Sequence, residues 1–370
     1  MKKPICVLVV LGLLAWCRSN HEEVASVVNA APKYEKYVDL EKLYTIDVTS
    51  ISMFNKESAT DFDRALGFDS RHNLYILDTY ESQISVFDSE GRFVRAFGRP
   101  GQGPEEFTNP QRLVIKSDRI YVFEGFTGLK IVSLQGDYIS KHTIQIENLL
   151  KLKAVGDSFY ILRGKTDPTF TKLDFILAVA DDNFSMNKEV FRHEYAPGLR
   201  GPNYDFGWHA WLLISDDGAF FFPEDNMNKY TIVKYDRTGK PKLVFGRKYT
   251  ISEYSKKARD RFFSLYERQI KRGDRKFPQA PPVVGNMFQD ERKNVWVIVG
   301  EAFEDNRDPD YESLVDIFSE KGQWLCSLRS KSLSRFCHYH DGKIYKISPM
   351  DPDTFSQSIE VYKIRYLNAR

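Results

Sequence analysis

Six times along this chain a short apolar run carries an aromatic residue at its second place. The runs are Leu74-Tyr75-Ile76-Leu77, Ile120-Tyr121-Val122-Phe123, Phe159-Tyr160-Ile161-Leu162, Ala219-Phe220-Phe221-Phe222, Val295-Trp296-Val297-Ile298 and Ile344-Tyr345-Lys346-Ile347. The aromatics Tyr75, Tyr121, Tyr160, Phe220, Trp296 and Tyr345 stand 46, 39, 60, 76 and 49 residues apart. Each run is followed by a second β-type run: Ile84–Asp88, Leu129–Leu134, Ile176–Asp181, Thr231–Asp236, Leu314–Phe318 and Ser358–Ile364. Several of these end in a glycine turn, at Gly91, Gly136, Gly239 and Gly322. No such unit can bury both faces of its own sheet, so the copies must stack on one another. A period of about 40–50 residues with about four strands per copy is the pattern of propeller blades. The two long spacings then mark insertions.

The stretch Asn73–Pro110 shows one copy most completely. It reads Asn-Leu-Tyr-Ile-Leu-Asp78, Ile84-Ser-Val-Phe-Asp-Ser-Glu-Gly91, Phe93-Val-Arg-Ala-Phe-Gly98, then a Gly/Pro loop closing at Phe107-Thr-Asn-Pro110. The run from Asp69 to Pro110 resembles an NHL-type blade, and the chain from about residue 35 to 370 resembles the six-bladed β-propeller lipoproteins of the Bacteroidota. That resemblance implies an all-β fold: a six-bladed propeller of four-stranded antiparallel blades. It implies little about activity, because propellers host binding, scaffolding and several chemistries. In such folds a leading segment often completes the last blade. Here Tyr34–Ser52 would then pair with Ile359–Arg365. For the first blade the strands are expected at about 64–69, 73–78, 83–88 and 92–97.

The first seventeen residues read as a targeting signal. Lys2 and Lys3 precede an apolar stretch, Ile5–Leu14, of signal-peptide length. Leu14-Ala15-Trp16-Cys17 resembles a lipobox, with Trp16 where a small residue is expected. Cys17 is the expected lipidation site. Simple secretion and a retained anchor are the alternatives. Residues 18–33 are polar and small and read as a tether, and residues 34–370 as the propeller. The expected location is the periplasm or the outer membrane. With 53 basic and 51 acidic side chains the net charge is +2, which gives no broad field for nucleic acid, so the membrane is expected to be met only through the lipid.

The longest connections are expected on one face of the propeller: 98–110, about 185–209 and about 247–281 between outer and inner strands, and about 163–174, 299–312 and 348–357 between second and third strands. Loops on a rigid scaffold are where partners are met. One insertion, about 252–272, reads as a helix. Tyr254, Ala258, Phe262, Tyr266 and Ile270 form an apolar stripe behind a Thr250…Glu253 capping box. Its basic flank is either a lid or the solvated face of a docked helix.

No nucleophile elbow, Walker loop, zinc His-Glu motif or EF-hand loop is present. The glycines of Gly98–Phe107 read as turn formers in a connector between blades. The positions that end the aromatic strands, near the expected central axis, hold Asp78, Glu124, Arg163, Pro223, Val299 and Ser348. Two acids and no histidine do not make a set of oxygen or imidazole ligands, so no metal, cofactor or catalytic residue is expected. Arg64 and Arg112, near the starts of the first two inner strands, either form an anion pocket or pair with Asp63 and Glu124. Trp208, His209 and Trp211 either stack on a sugar or peptide or plug the core. The acidic loop 301–310 is either a calcium loop or a solvated one. His338 and His340 share a strand face. Cys326 and Cys337 fall on strands too far apart for a disulfide and are expected as buried free thiols.

The expectation is therefore an exported, lipid-anchored binding module. Its ligand would be a protein, peptide or glycan, held by Arg64, Asp78, Arg112, Glu124, Arg163, Trp208, His209 and Trp211. The alternative is a lactonase-like hydrolase or a lyase with a metal on the axis.

Overall fold

The computed structural model describes residues 24–55, 62–125, 127–144, 146, 148–166, 173–195, 212–224, 229–250, 282–300, 311–334, 336–348 and 356–367, with single positions between 253 and 271. The fold is a six-bladed β-propeller whose blades are each built of four antiparallel strands, one sheet having a fifth strand added. All six repeated aromatics lie on second strands and are buried. Burying such a ring removes its large apolar area from water while the strand ladder satisfies the backbone, which is why this position carries the repeat.

One compact unit comprises Leu40–Tyr204 and Phe336–Arg365 and holds blades one, two, three and six. Blade one runs Leu66–Phe68, Leu74–Asp78, Gln83–Phe87 and Phe93–Phe97. Blade two runs Pro110–Lys116, Arg119–Glu124, Gly128–Ser133 and Tyr138–Thr143. Blade three runs Leu149–Val155, Ser158–Thr166, Leu173–Ala180 and Met186–Tyr195. Its outer strand lies inside the stretch that the sequence marks as a loop. Blade six takes Cys337–His340, Lys343–Ile347 and Ser358–Tyr366 from the end of the chain, and its outer strand, Val38–Asp47, from the beginning. The expected closure by the leading segment is thus present. Blades six and one meet through rings: Phe68 stacks on His340 at 3.9 Å between centroids, and His72 Nδ1 lies 3.3 Å from His340 Nε2.

The second unit comprises Met1–Asp39, Asp205–Arg335 and Tyr366–Arg370. Its blade four runs Leu213–Ile214, Phe220–Pro223, Thr231–Tyr235 and Pro241–Arg247, and its blade five Val284–Gln289, Val295–Val299, Ser313–Phe318 and Trp324–Ser330. Part of the expected tether is structured here. Ala25–Asn29 adds to blade four as a fifth, parallel strand, from Ala25 beside Leu243 to Asn29 beside Arg247. Asn29 then joins two blades: its Nδ2 donates to Gly246 O and Gly322 O, and its Oδ1 accepts from Trp324 N, each at 2.9 Å. Lys33 N and Tyr34 N continue along blade five by donating to Trp324 O and Leu325 O. Between these blades Arg247 pairs with the fully buried Asp316 at 2.6 Å and lies over the rings of Trp324, Tyr230 and Tyr249.

A single turn device recurs in both units. Asp69 Oδ1 accepts from the backbone of Arg71 and Asn73, while Oδ2 takes Asn73 Nδ2 and Tyr75 OH. Asp290 repeats this with Arg292, Asn294 and Trp296 Nε1. The shared spacing, Asp-x-x-x-Asn-x-aromatic, ties the hairpin turn to the buried ring of the second strand. Burial raises the Asp290 pKa, against the pull of those hydrogen bonds.

Cys326 and Cys337 are free and buried, and burial pushes the Cys326 thiol up to about 11. In the insertion expected at 252–272, the described positions 256, 259, 260, 263, 264, 267 and 271 are helical and exposed. The five stripe residues lie outside the described residues, as do Cys17 and the acidic loop 301–310.

Candidate binding site at the strand ends of blades one to three

The second strands of blades one and two end in carboxylates that the chain itself occupies. Asp78 is buried. Its Oδ2 accepts from Ser52 N, which opens the helical turn Ser52–Asn55, and its Oδ1 accepts from Tyr80 N and Glu81 N at 3.0 and 3.2 Å. Three backbone donors fix the carboxylate as a cap.

Glu124 is buried as well. Its Oε1 accepts from Thr108 N at 2.8 Å, and Lys141 Nζ lies 3.0 Å from Oε2. Lys130 Nζ is 3.8 Å away and donates to Gly103 O at 2.8 Å and to Glu106 O. Lys130 is 1% exposed. Burial lowers its pKa, while Glu124 pulls the other way. This ammonium holds the Gly98–Phe107 connector onto blade two. The connector needs its glycine at 98, where φ is 88° and a Cβ would meet the Phe107 ring at 2.4 Å. The sequence reading missed Lys130 and Lys141. The available signal was a lysine between Leu129 and Ile131, inside a strand that is otherwise apolar.

The arginines differ from the acids. Arg64 is half-buried in the helical turn Phe62–Ala65, ahead of the first inner strand. Arg112 is buried, and its Nη2 donates to Leu150 O of blade three at 3.0 Å. Arg163 is half-buried on the second strand of blade three. Its Nε is shielded from solvent and has no hydrogen-bond partner, and among the described residues its guanidinium forms no ion pair. The acid whose field it feels, Glu189, is held at 2.8 Å through both oxygens by Arg192, whose bond to it keeps the Glu189 pKa low. Arg192 also binds Asp174 at 2.7 Å.

Trp208, His209 and Trp211 lie outside the described residues. Among the described residues no group of three or more His, Cys, Asp or Glu side chains could hold a metal, and no helix is long and apolar enough to cross a membrane.

A family model described as 6-bladed beta-propeller matches residues 37–199. No curated protein matches the sequence. Among solved structures, the chain resembles a predicted exported protein of Bacteroides fragilis NCTC 9343, with a TM-score of 0.51 and 14% identity over 92% of this chain and 99% of that one. It also resembles a member of the DUF4221 family from Bacteroides vulgatus, with a TM-score of 0.53 and 12% identity over 90% of this chain and 100% of that one. At these identities the likeness is one of fold.

Proposed function

We propose that the protein is an exported, lipid-anchored binding module that meets a protein, peptide or glycan of the cell envelope at the strand ends of its blades. The observation that carries this reading is the division of labour at those ends. Asp78 is held by three backbone donors, and Glu124 by Thr108 N with the Lys130 and Lys141 ammonium groups beside it, while Glu124 Oε2 and Arg163 Nε each lack a hydrogen bond. To ligate a metal, either acid would have to abandon contacts that hold a helical turn or a connector. That sets the binding role ahead of a metal-dependent hydrolase or lyase. Export is supported by the basic and apolar leader ending at Cys17, and by the likeness to the Bacteroides fragilis protein. In the anchored form acyl chains on Cys17 hold the protein to a membrane surface.

Two experiments test the proposal. Elemental mass spectrometry of the purified propeller, with thermal unfolding before and after chelation, is expected to show no stoichiometric metal and no shift. A stoichiometric metal whose removal lowers Tm would put the hydrolase or lyase first. Metabolic labelling with a fatty acid is expected to mark the wild type and not Cys17→Ala; an unlabelled wild type would overturn the anchor.

A further inference from the structure

The segment that leads into the propeller is pinned to blades four and five, and it is largely apolar. From Val24 to Tyr34 the single charged side chain is Lys33. Ala25–Asn29 is the outermost strand of blade four. Side chains alternate along a strand. Val27 packs on the apolar layer of blades four and five, and Val28, on the other face, is 64% exposed. Ala30, Ala31, Pro32 and Lys33 follow, all of them exposed. Lys33 Nζ lies 4.9 Å from the centre of the Tyr34 ring, which stacks on Tyr37 at 5.3 Å. The Asn29 amide at one end, and the bonds from Lys33 N and Tyr34 N at the other, fix the run on the two blades.

A single exposed valine is ordinary on a protein surface. Here an exposed run of apolar and small residues is held in place and ends in a lysine over a tyrosine. That composition suits a lipid–water boundary, where aromatic rings and lysine stems sit at headgroup level and the ammonium stays in water. The chain also brings the lipid to it. With acyl chains on Cys17, residues 18–24 are all that separates the lipid from the strand that opens at Ala25.

We infer that the run Val28–Tyr34 is a second membrane contact, which docks on the lipid headgroup layer beside the anchor. The inference rests on the reading of Cys17 as lipidated. Val28 and Pro32 enter the apolar boundary, and Lys33 meets the lipid phosphates.

The test uses the acylated protein, extracted from membranes and reconstituted into vesicles of phosphatidylethanolamine and phosphatidylglycerol. Ala31→Cys carries a nitroxide; Cys326 and Cys337 are buried and stay unlabelled. On vesicles the label is expected to collide with oxygen, which concentrates in the bilayer, more than with a water-soluble nickel chelate. Val28→Asp in the same background is expected to lower the ratio of docked to free label about tenfold, the factor that burial of a largely exposed valine supplies. Val28→Thr, which keeps the branched shape, is expected to lower it less. Amide exchange in residues 25–29 is expected to stay unchanged, because main-chain pairing holds the strand; if it quickens in Val28→Asp, Val28→Thr carries the comparison. A label open to the chelate on vesicles, or a Val28→Asp and a Val28→Thr that dock as well as the wild type, would overturn the contact and leave the anchor standing. Dipolar broadening that vanishes on dilution with unlabelled protein would put a second copy on the run and overturn lipid as its occupant. Protein recovered without acyl chains would overturn the anchor, and the inference with it.

Discussion

Replacing Asn29 by alanine should loosen the joint between blades four and five. The amide makes three hydrogen bonds of 2.9 Å, two to carbonyls on different blades and one from Trp324 N. All three are partly shielded from water, and their backbone partners have no other side chain supplied by this position. At about 1 kcal/mol for each net hydrogen bond, the loss is about 3 kcal/mol. Unfolding entropy scales with length at about 2 cal/mol/K per residue, so for a chain of 370 residues each kcal/mol shifts Tm by about 1.3 °C. The expected shift is then about −4 °C, measured by differential scanning calorimetry. Hydrogen exchange should show the amides of Ala25–Asn29 losing protection first, since their ladder to Leu243–Arg247 is anchored at this end. Asn29→Asp should destabilise at neutral pH as well, because its carboxylate would face two carbonyl oxygens. A loss under about 0.5 kcal/mol, with unchanged exchange in residues 25–29, would refute the view that the segment is held by this clasp.

Other outcomes follow from single groups. Lys130→Met keeps the aliphatic stem but strands the carbonyls of Gly103 and Glu106; it should cost about 2–3 kcal/mol in denaturant unfolding and speed exchange in residues 98–107. Ellman titration of the propeller lacking Cys17 should find no reactive thiol in the native state and two after denaturation, from Cys326 and Cys337. For Asp236, burial opposes ionisation, but hydrogen bonds from Thr238 and Lys240 bring its pKa down to about 2. Its contribution is therefore present above the ordinary carboxylate range and lost as pH falls through about 2, so Asp236→Asn should unfold with a weaker acid dependence between pH 4 and pH 2.

What the sequence disclosed depended on burial. The second strands announce themselves because each hides an aromatic ring between apolar neighbours, as Trp296 does between Val295 and Val297. The outer strand Met186–Tyr195 escaped notice because an outer edge faces water and its residues are mostly polar. Ala25–Asn29 escaped for a related reason. It is held by main-chain pairing and one amide, and neither leaves a periodic pattern. Asp78 and Glu124 drew attention as acids at strand ends, and both do end their strands. Their occupants, however, are Ser52 N and Thr108 N, brought in from loops 26 and 16 residues away in the chain. Spacing along a sequence cannot reveal such meetings. Arg163 stood out for its position, but that Glu189 is bonded by Arg192 depends on the pairing of the outer strand, which the sequence does not display.

The strand at Ala25–Asn29 also sets a length. With a lipid on Cys17, a tether from 18 to 33 could hold the fold about 55 Å from the bilayer at full extension. Because the ladder to blade four begins at Ala25, only residues 18–24 remain as leash, and its full reach is about 25 Å. The outer edge of blade four would then ride close above the lipid headgroups. A ligand too bulky for that gap could approach only from directions the membrane leaves open, and the anchor would act as a filter on partners as well as an address.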